Sequence, residues 1–214
     1  MSRATGPTDS GAPLRDAASP GVRAGRQRPV VLALGSNLGD RMANLRLGVK
    51  VLDGGGMTAT AVSGVFETAP VGGPQQDNYL NAVLLATSVL PAEQVLGRCA
   101  AAESAAGRVR TVHWGPRTLD VDIISYDDET WAEPDLTLPH PRAHERAFVL
   151  APWLDVDPSA VLPGRGRVAD LLATTSMAGV WRRPDLRLTL PAASAGSAAG
   201  SLPRGRTAGV TPCT

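Results

Sequence analysis

Apolar and polar residues alternate strictly between positions 118 and 123 of the chain. A period of two is typical of a half-buried β-strand, in which successive side chains point to opposite faces. The pattern predicts a strand over 118–125, with Asp120 and Asp122 on one face, roughly 6.5 Å apart along it. Two carboxylates this close repel each other unless cations lie between them, so we expect positive charge nearby.

Five further elements precede this strand. The stretches 30–34, 57–68 and 79–89 are apolar or alternating, which predicts three strands. Apolar residues at helical spacing predict helices over 40–52 and 91–106. The resulting order is strand, helix, strand, strand, helix, strand. This is the ferredoxin-like βαββαβ plan, an α+β fold with an antiparallel sheet and helices on one of its faces.

The regular pattern weakens towards both ends of the chain. A short helix starting near Arg142 and a last helix over about 168–174 are predicted as C-terminal additions to the sheet. Residues 1–28 and 184–214 are rich in Gly, Ala, Pro, Ser and Arg and have no period. We therefore expect one domain over 29–183, flanked by two disordered tails.

Charge and cysteine content narrow the class of function. The net charge of +1 combines +3 over residues 1–29, +3 over residues 183–214 and −5 over residues 30–182, and this acidic body argues against a nucleic-acid platform. The two cysteines form neither a disulfide framework nor a zinc site. The chain has no apolar run of membrane-spanning length and no apolar segment of a secretory signal at its N-terminus. We expect a cytoplasmic monomer without a nucleic-acid or membrane partner.

The aspartate pair is the strongest candidate for chemistry. Arg108, Arg110 and Arg117 lie just upstream of Asp120 and Asp122, and arginine is the side chain best shaped to bind phosphate. Mg²⁺ commonly binds one or two carboxylates together with substrate phosphates. An Asp-x-Asp pattern by itself more often marks the solvent-exposed face of an edge strand than a metal site. With three arginines so near, we favour a polyphosphate site.

Other motifs leave their roles open. The turn 35–39 between a strand and a helix suits either an anion at the helix N-terminus or a plain turn with a helix cap. Tyr79 and Asn81 share a strand face and suit either a flat heterocycle or ordinary packing and capping. His140, between two prolines, is either a fixed phosphate contact or an exposed loop residue, and for Phe148 a core position is the default. No P-loop or dinucleotide-binding motif is present.

Taken together, these motifs resemble the 6-hydroxymethyl-7,8-dihydropterin pyrophosphokinase family of folate biosynthesis. The resemblance covers roughly residues 30–162. It rests on five segments in the same order along the chain, which read Gly-Ser-Asn-Leu-Gly at 35–39, Glu-Thr-Ala-Pro-Val-Gly at 67–72, Tyr-Leu-Asn-Ala at 79–82, the arginine and aspartate motifs within 107–122, and Leu-Pro-His-Pro at 138–141 with Arg-Ala-Phe-Val-Leu at 146–150.

The resemblance implies a reaction and a site. Pyrophosphate would move from ATP, the co-substrate, to the pterin hydroxymethyl group, with two Mg²⁺ ions as cofactors held by Asp120 and Asp122. Arg108 and Arg110 would lie on a loop that closes over the site. The implied catalytic residues are Arg108, Arg110, Asp120 and Asp122. The implied ATP contacts are Glu103, Arg110, Trp114, Arg117, Ile123, Thr137, His140 and Arg146. The implied pterin contacts are Thr68, Val71, Tyr79, Asn81, Asp120 and Phe148.

The sequence departs from the family pattern at three positions. His113 stands where an arginine is usual, Ala69 where some members have proline, and Pro141 where tyrosine is found. The first change is expected to weaken one phosphate contact or make it pH-dependent. A non-catalytic ferredoxin-like module that binds a nucleotide for regulation is the alternative function. Such a module needs the pocket, but it needs neither the carboxylate pair nor the arginines.

Overall fold

A computed structural model describes residues 25–70, 76–108 and 115–192 of the chain. Strands β1 to β10 span Arg28–Ser36, Met57–Val62, Phe66–Thr68, Tyr79–Ser88, Asp120–Tyr126, Trp131–Glu133, Leu136–Leu138, Val161–Leu162, Gly166–Arg167 and Val180–Arg182. Helices α1 to α4 span Arg41–Leu52, Ala92–Ala105, Ala147–Val156 and Val168–Thr174. A single 3₁₀ turn, Ala143–Glu145, leads into α3.

The main sheet has six strands, and their pairings are antiparallel. The order is β10-β3-β4-β1-β5, and β2 also pairs with β4. This arrangement confirms the predicted α+β, ferredoxin-like sheet. The strand predicted over 57–68 is divided into β2 and β3 because Ser63 interrupts it. Its hydroxyl accepts a hydrogen bond from the Val83 N–H at 2.9 Å, and its own N–H donates to the Val83 carbonyl.

Helices cover both faces of the sheet. The two helices of the βαββαβ unit, α1 and α2, lie on one face, as predicted, and α3, one of the C-terminal additions, covers the other. Helices α1 and α2 pack against Leu32 and Leu34 of β1, whereas α3 packs against Val31 and against Val83 of β4. Strand β1 is buried on both sides, so its apolar residues form an unbroken run rather than an alternating one. That run was a signal for a second layer of helix.

Local sequence features fix the first helix. The Asp40 carboxylate accepts a hydrogen bond from the Ala43 N–H at 2.9 Å and so caps the N-terminus of α1. Leu45, Val49 and Leu52 then face the core. Gly48 brings the helix close to the sheet, since a Cβ there would lie 3.0 Å from a side-chain carbon of Leu119. The helix therefore holds the start of β5 in place.

Helix α2 is the longest helix among the described residues. It has 14 residues, which corresponds to about 21 Å. None of the helices in the described ranges combines the length and apolar character needed to cross a bilayer. Cys99, on the buried side of α2, is a free thiol, and burial raises its pKa to about 12. It is therefore a packing residue rather than a reactive one.

The packed body extends beyond the boundary expected at residue 183. Leu186, Leu188 and Leu190 contact the main core, and Leu188 is only 7% exposed. Because these leucines occupy alternate positions, they all point from one side of an extended segment towards the main core. The segment 184–192 is thus ordered against the domain, and the rest of the predicted tail, like residues 1–24, lies outside the described residues.

Truncating the Leu188 side chain tests this boundary. We expect Leu188→Ala to lower the free energy of unfolding by about 2–5 kcal/mol, because it leaves a cavity in the core. Leu38→Ala is the control, since Leu38 is 47% exposed and surface changes typically shift stability by no more than about 0.5 kcal/mol. Urea denaturation measures both. Equal stability of the two variants would contradict the packing of Leu188.

Candidate functional site

The candidate site lies on the α3 face of the sheet, near one end of β1, β4 and β5. Strand register aligns Asn81, Gly35 and Asp120 in one row across the three strands, and places Asp122 opposite Ala33. Directly opposed residues of antiparallel strands share a face. Asn81 and Asp120 therefore point the same way, on either side of a glycine.

Gly35 opens the space between the two polar residues. A Cβ at this position would lie 3.0 Å from the Asn81 Oδ1 atom and 3.7 Å from a ring carbon of Tyr79. Such a contact would force Asn81 to move. The absence of a side chain at Gly35 is thus part of the site, which the sequence pattern at 35–39 did not indicate.

A cavity of about 620 Å³ occupies this face. Nine residues assigned by the family resemblance line it, namely Thr68, Tyr79, Asn81, Arg117, Asp120, Asp122, His140, Arg146 and Phe148. Twelve further lining residues were not assigned to the site from sequence, namely Ala33, Leu34, Gly35, Ala69, Gln76, Arg142, Glu145, Ala147, Ser176, Ala178, Gly179 and Val180. The structure therefore brings together residues that are more than 100 positions apart in the chain.

Arginines neutralise Asp120 from two sides. Arg108 donates a hydrogen bond to its Oδ1 atom at 2.7 Å, and Arg117 donates to its Oδ2 atom at 2.5 Å. Arg108 also pairs with Glu103, whose carboxylate accepts the Val121 N–H at 3.0 Å. Glu103 is only 8% exposed. Glu103 therefore orients Arg108 towards Asp120 through an ion pair, and it does not line the cavity itself.

Arg146 and His140 accompany Asp122. Arg146 donates to the Asp122 Oδ2 atom at 3.1 Å, and its guanidinium carbon lies 5.5 Å from the centre of the Phe148 ring. Burial lowers the pKa of His140, although the Asp122 carboxylate acts in the opposite direction. The His140 Nδ1 atom accepts the Arg142 N–H at 3.1 Å, so the neutral ring carries its proton on Nε2. That nitrogen lies 3.8 Å from Asp122.

The other end of the cavity is aromatic and amide-lined. Asn81 donates through Nδ2 to the Thr68 hydroxyl at 2.7 Å, which fixes the orientation of its amide group. Tyr79 donates to the Gln76 side chain at 3.3 Å, and burial raises the pKa of its phenol. Tyr79, Asn81 and Phe148 all face the cavity. This geometry favours the binding interpretation that the sequence left open for them.

The turn at 35–39 serves to join two loops. The Asn37 Oδ1 atom accepts the Arg117 N–H at 2.7 Å, and Nδ2 donates to Gln76 and to the Asp77 carbonyl. The backbone N–H groups of Asn37 and Leu38 both donate to the Arg117 carbonyl. These donors are thus occupied by the protein, which favours the turn-and-cap interpretation over an anion site.

Several assigned residues lie elsewhere. Ile123 is 5% exposed and belongs to the core on the opposite face, and Thr137 is exposed on β7. Neither of them lines the cavity, so their assignment as ATP contacts stays a prediction. Three other assigned residues, Val71, Arg110 and Trp114, fall outside the described part of the chain. His113, which differs from the usual family residue, also falls outside it.

The donor set bears on metal binding. Within the described ranges, no cluster of three or more His, Cys, Asp or Glu side chains could hold a metal ion by itself. Two carboxylates on one face nevertheless fit Mg²⁺, which prefers oxygen ligands and typically takes the remainder from water and substrate phosphates. The site is therefore suited to metal that binds together with a phosphate ligand.

Comparison with known proteins places this chain in a family. The family model for 7,8-dihydro-6-hydroxymethylpterin-pyrophosphokinase (HPPK) matches residues 31–158. A 2-amino-4-hydroxy-6-hydroxymethyldihydropteridine pyrophosphokinase of Mycobacterium bovis is 49% identical over 147 residues, which cover 64% of this chain and 77% of that protein. The Bacillus subtilis protein of the same name is 45% identical over 127 residues, covering 58% of this chain and 75% of its own length.

Solved structures agree at the level of the fold. The crystal structure of a Plasmodium falciparum HPPK-DHPS triple mutant with pteroate has a TM-score of 0.56 and 14% identity. The match covers 73% of this chain and 47% of that longer one. On the family match and the identity to the curated relatives, this chain belongs to the 7,8-dihydro-6-hydroxymethylpterin-pyrophosphokinase (HPPK) family.

Proposed function

We propose that this protein transfers pyrophosphate from ATP to 6-hydroxymethyl-7,8-dihydropterin, giving AMP and the pterin diphosphate in folate biosynthesis. Membership of the family supports this reaction. The main structural support for the reaction in this chain is the row Asn81–Gly35–Asp120. This row places an amide and aromatic pocket beside a carboxylate on one face of the sheet. Both substrates are small molecules, so a cytoplasmic monomer without nucleic-acid or membrane partners suffices.

The pterin ring lies at the aromatic end of the cavity. Tyr79 and Phe148 stack against the ring, which is flat and apolar on its faces. The Asn81 amide presents a donor and an acceptor to the amide-like edge of the ring. Thr68 supports this recognition, since its hydroxyl accepts the Asn81 hydrogen bond at 2.7 Å. Val71 is proposed to add a backbone contact at the same edge.

The ATP phosphates lie at the charged end. Asp120 and Asp122 would hold two Mg²⁺ ions there, and these ions, when bound, neutralise the charge of the triphosphate. Arg117 and Arg146 contact the phosphates, and His140 donates its Nε2 proton to a phosphate oxygen. Arg108, together with the undescribed Arg110 and Trp114, is proposed to close over the nucleotide. Glu103 supports the nucleotide pocket from behind.

Without ligand, the arginines and carboxylates neutralise each other. Arg108 and Arg117 both donate to Asp120, and Arg146 donates to Asp122. When ATP binds together with metal, the guanidinium groups turn from the carboxylates to the phosphates. Charge balance is kept at each stage, because each arginine exchanges one anionic partner for another. The half-buried site thus avoids unpaired charge before and after binding.

The chemistry is a displacement at the β-phosphorus of ATP. The pterin hydroxyl oxygen attacks this phosphorus, and the bond to the oxygen that bridges to the α-phosphate breaks. That oxygen leaves on AMP with the electron pair of the broken bond. A carboxylate such as Asp122 can accept the hydroxyl proton. The protein contributes mainly by holding the two substrates in line, which is the principal source of catalysis in phosphoryl transfer.

Removing either carboxylate charge tests the phosphate end. We expect Asp120→Asn and Asp122→Asn each to lose more than about 100-fold in AMP formation, since even residues that only orient metal ligands typically change activity about 10–100-fold. Chromatographic separation of AMP from ADP measures the product. Asp128→Asn, which changes an exposed carboxylate outside the cavity, is the matched control. Near-normal rates in both site variants would refute the metal assignment, and ADP as the product would refute the reaction.

Adding one methyl group at Gly35 tests the aromatic end. We expect Gly35→Ala to weaken pterin binding about 10-fold or more, because the new Cβ would lie 3.0 Å from the Asn81 Oδ1 atom. Gly97→Ala is the control, since nothing lies within 4 Å of a Cβ there. Fluorescence titration with the pterin measures both variants. Unchanged pterin affinity in Gly35→Ala would show that the ring does not bind beside Asn81.

A further inference from the structure

The last strand of the main sheet closes one side of the cavity, although it lies outside the part of the chain that the family model matches. That match ends at residue 158, whereas Ser176, Ala178, Gly179 and Val180 line the cavity. These residues lead into and begin β10, the edge strand beside β3. We call residues 176–180 the C-terminal wall.

The C-terminal wall lies against the residues that recognise the ring edge. Val180 is directly opposite Thr68, whose hydroxyl accepts the Asn81 hydrogen bond. The Gly179 carbonyl accepts the Ala69 N–H at 2.9 Å. Gly179 has a φ of +75°, and a Cβ there would lie 3.3 Å from the Ala69 Cβ. The two backbones therefore run close together, and the wall borders the aromatic end of the cavity.

Ion pairs fix the C-terminal wall from its far side. The Arg182 Nε atom donates to the Asp155 Oδ1 atom at 3.0 Å, which ties β10 to α3. The other oxygen of Asp155 accepts the Gly64 N–H at 2.8 Å. Arg183 pairs with Glu67 of β3, and its N–H donates to the Val65 carbonyl at 2.8 Å. These contacts fix the position of the C-terminal wall within the domain.

We propose that the C-terminal wall is a specificity determinant for the pterin, which sets the space left at the ring edge beside Asn81 and Thr68. This inference rests on the proposed function. The wall presents small side chains, Ser176, Ala178 and Val180, so a flat bicyclic ring fits beside it. A substituent added to that edge of the ring would meet Val180. The wall leads into β10 beside β3, whereas the carboxylate pair is on β5 at the opposite edge of the sheet. The wall therefore acts on the pterin and not on ATP.

Filling the space tests the proposal. We expect Ala178→Leu to raise the KM and the dissociation constant for the pterin about 10-fold or more, with the KM for ATP changed less than about twofold. Ala173→Leu is the matched control, because Ala173 on α4 is exposed, lies outside the C-terminal wall and does not line the cavity. Thermal melting of both variants verifies folding. Wild-type pterin affinity in a folded Ala178→Leu variant would overturn the proposal.

Enlarging the space gives a second test that does not depend on loss of function. The probe is a hydroxymethylpterin carrying a methyl group on its 2-amino nitrogen. We expect Val180→Ala to improve the affinity for this analogue, relative to the parent pterin, by about 10-fold. An unchanged ratio of the two affinities would overturn the proposal. If the wild type bound no pterin and made no AMP, the proposed function itself would be wrong.

Discussion

Two carboxylates on one face of a single strand impose the strongest constraint on this structure. Asp120 and Asp122 lie close together, so their mutual repulsion must be balanced in every state of the protein. The balance comes from three separate places in the chain. Arg108 follows α2, Arg117 precedes β5, and Arg146 precedes α3, and each donates to one of the two carboxylates. Three separate parts of the chain therefore meet at β5 to balance its charge.

The sheet also places an amide and two aromatic side chains in the same cavity as this charged pair. Strand register fixes Asn81 and Asp120 on either side of Gly35, so the amide and the carboxylate keep a constant spacing. Packed strands are rigid compared with loops, and substrate positioning is the main contribution a protein makes to phosphoryl transfer. The Asn37 side chain then joins the Arg117 loop to the Gln76 loop at the same end of the sheet.

Much of this was present in the sequence, and the exceptions have physical reasons. The period of two placed the aspartates correctly, and helical spacing located α4 at Val168–Thr174. The unbroken apolar run in β1 fits two buried faces, and a helix beginning near Arg142 was predicted. Its position on the second face was not predicted, because no local pattern assigns a helix to a face of the sheet. The alternation that buries Leu188 was hidden in a tail-like composition. Gly35 was not predicted as a site residue because it contributes by lacking a side chain. The C-terminal wall, residues 176–180, was not predicted because it reaches the cavity only through the pairing of β10 with β3, which is distant in sequence.

The most direct test of the central claim is a crystal structure with a non-hydrolysable ATP analogue, the pterin and Mn²⁺ in place of Mg²⁺. Anomalous scattering locates the metal independently of the protein. The account predicts manganese within about 2.2 Å of carboxylate oxygens from both Asp120 and Asp122, bridged to the phosphates, with the pterin ring between Tyr79 and Phe148. Carboxylates that keep their arginine partners, with neither metal nor phosphate beside them, would contradict it.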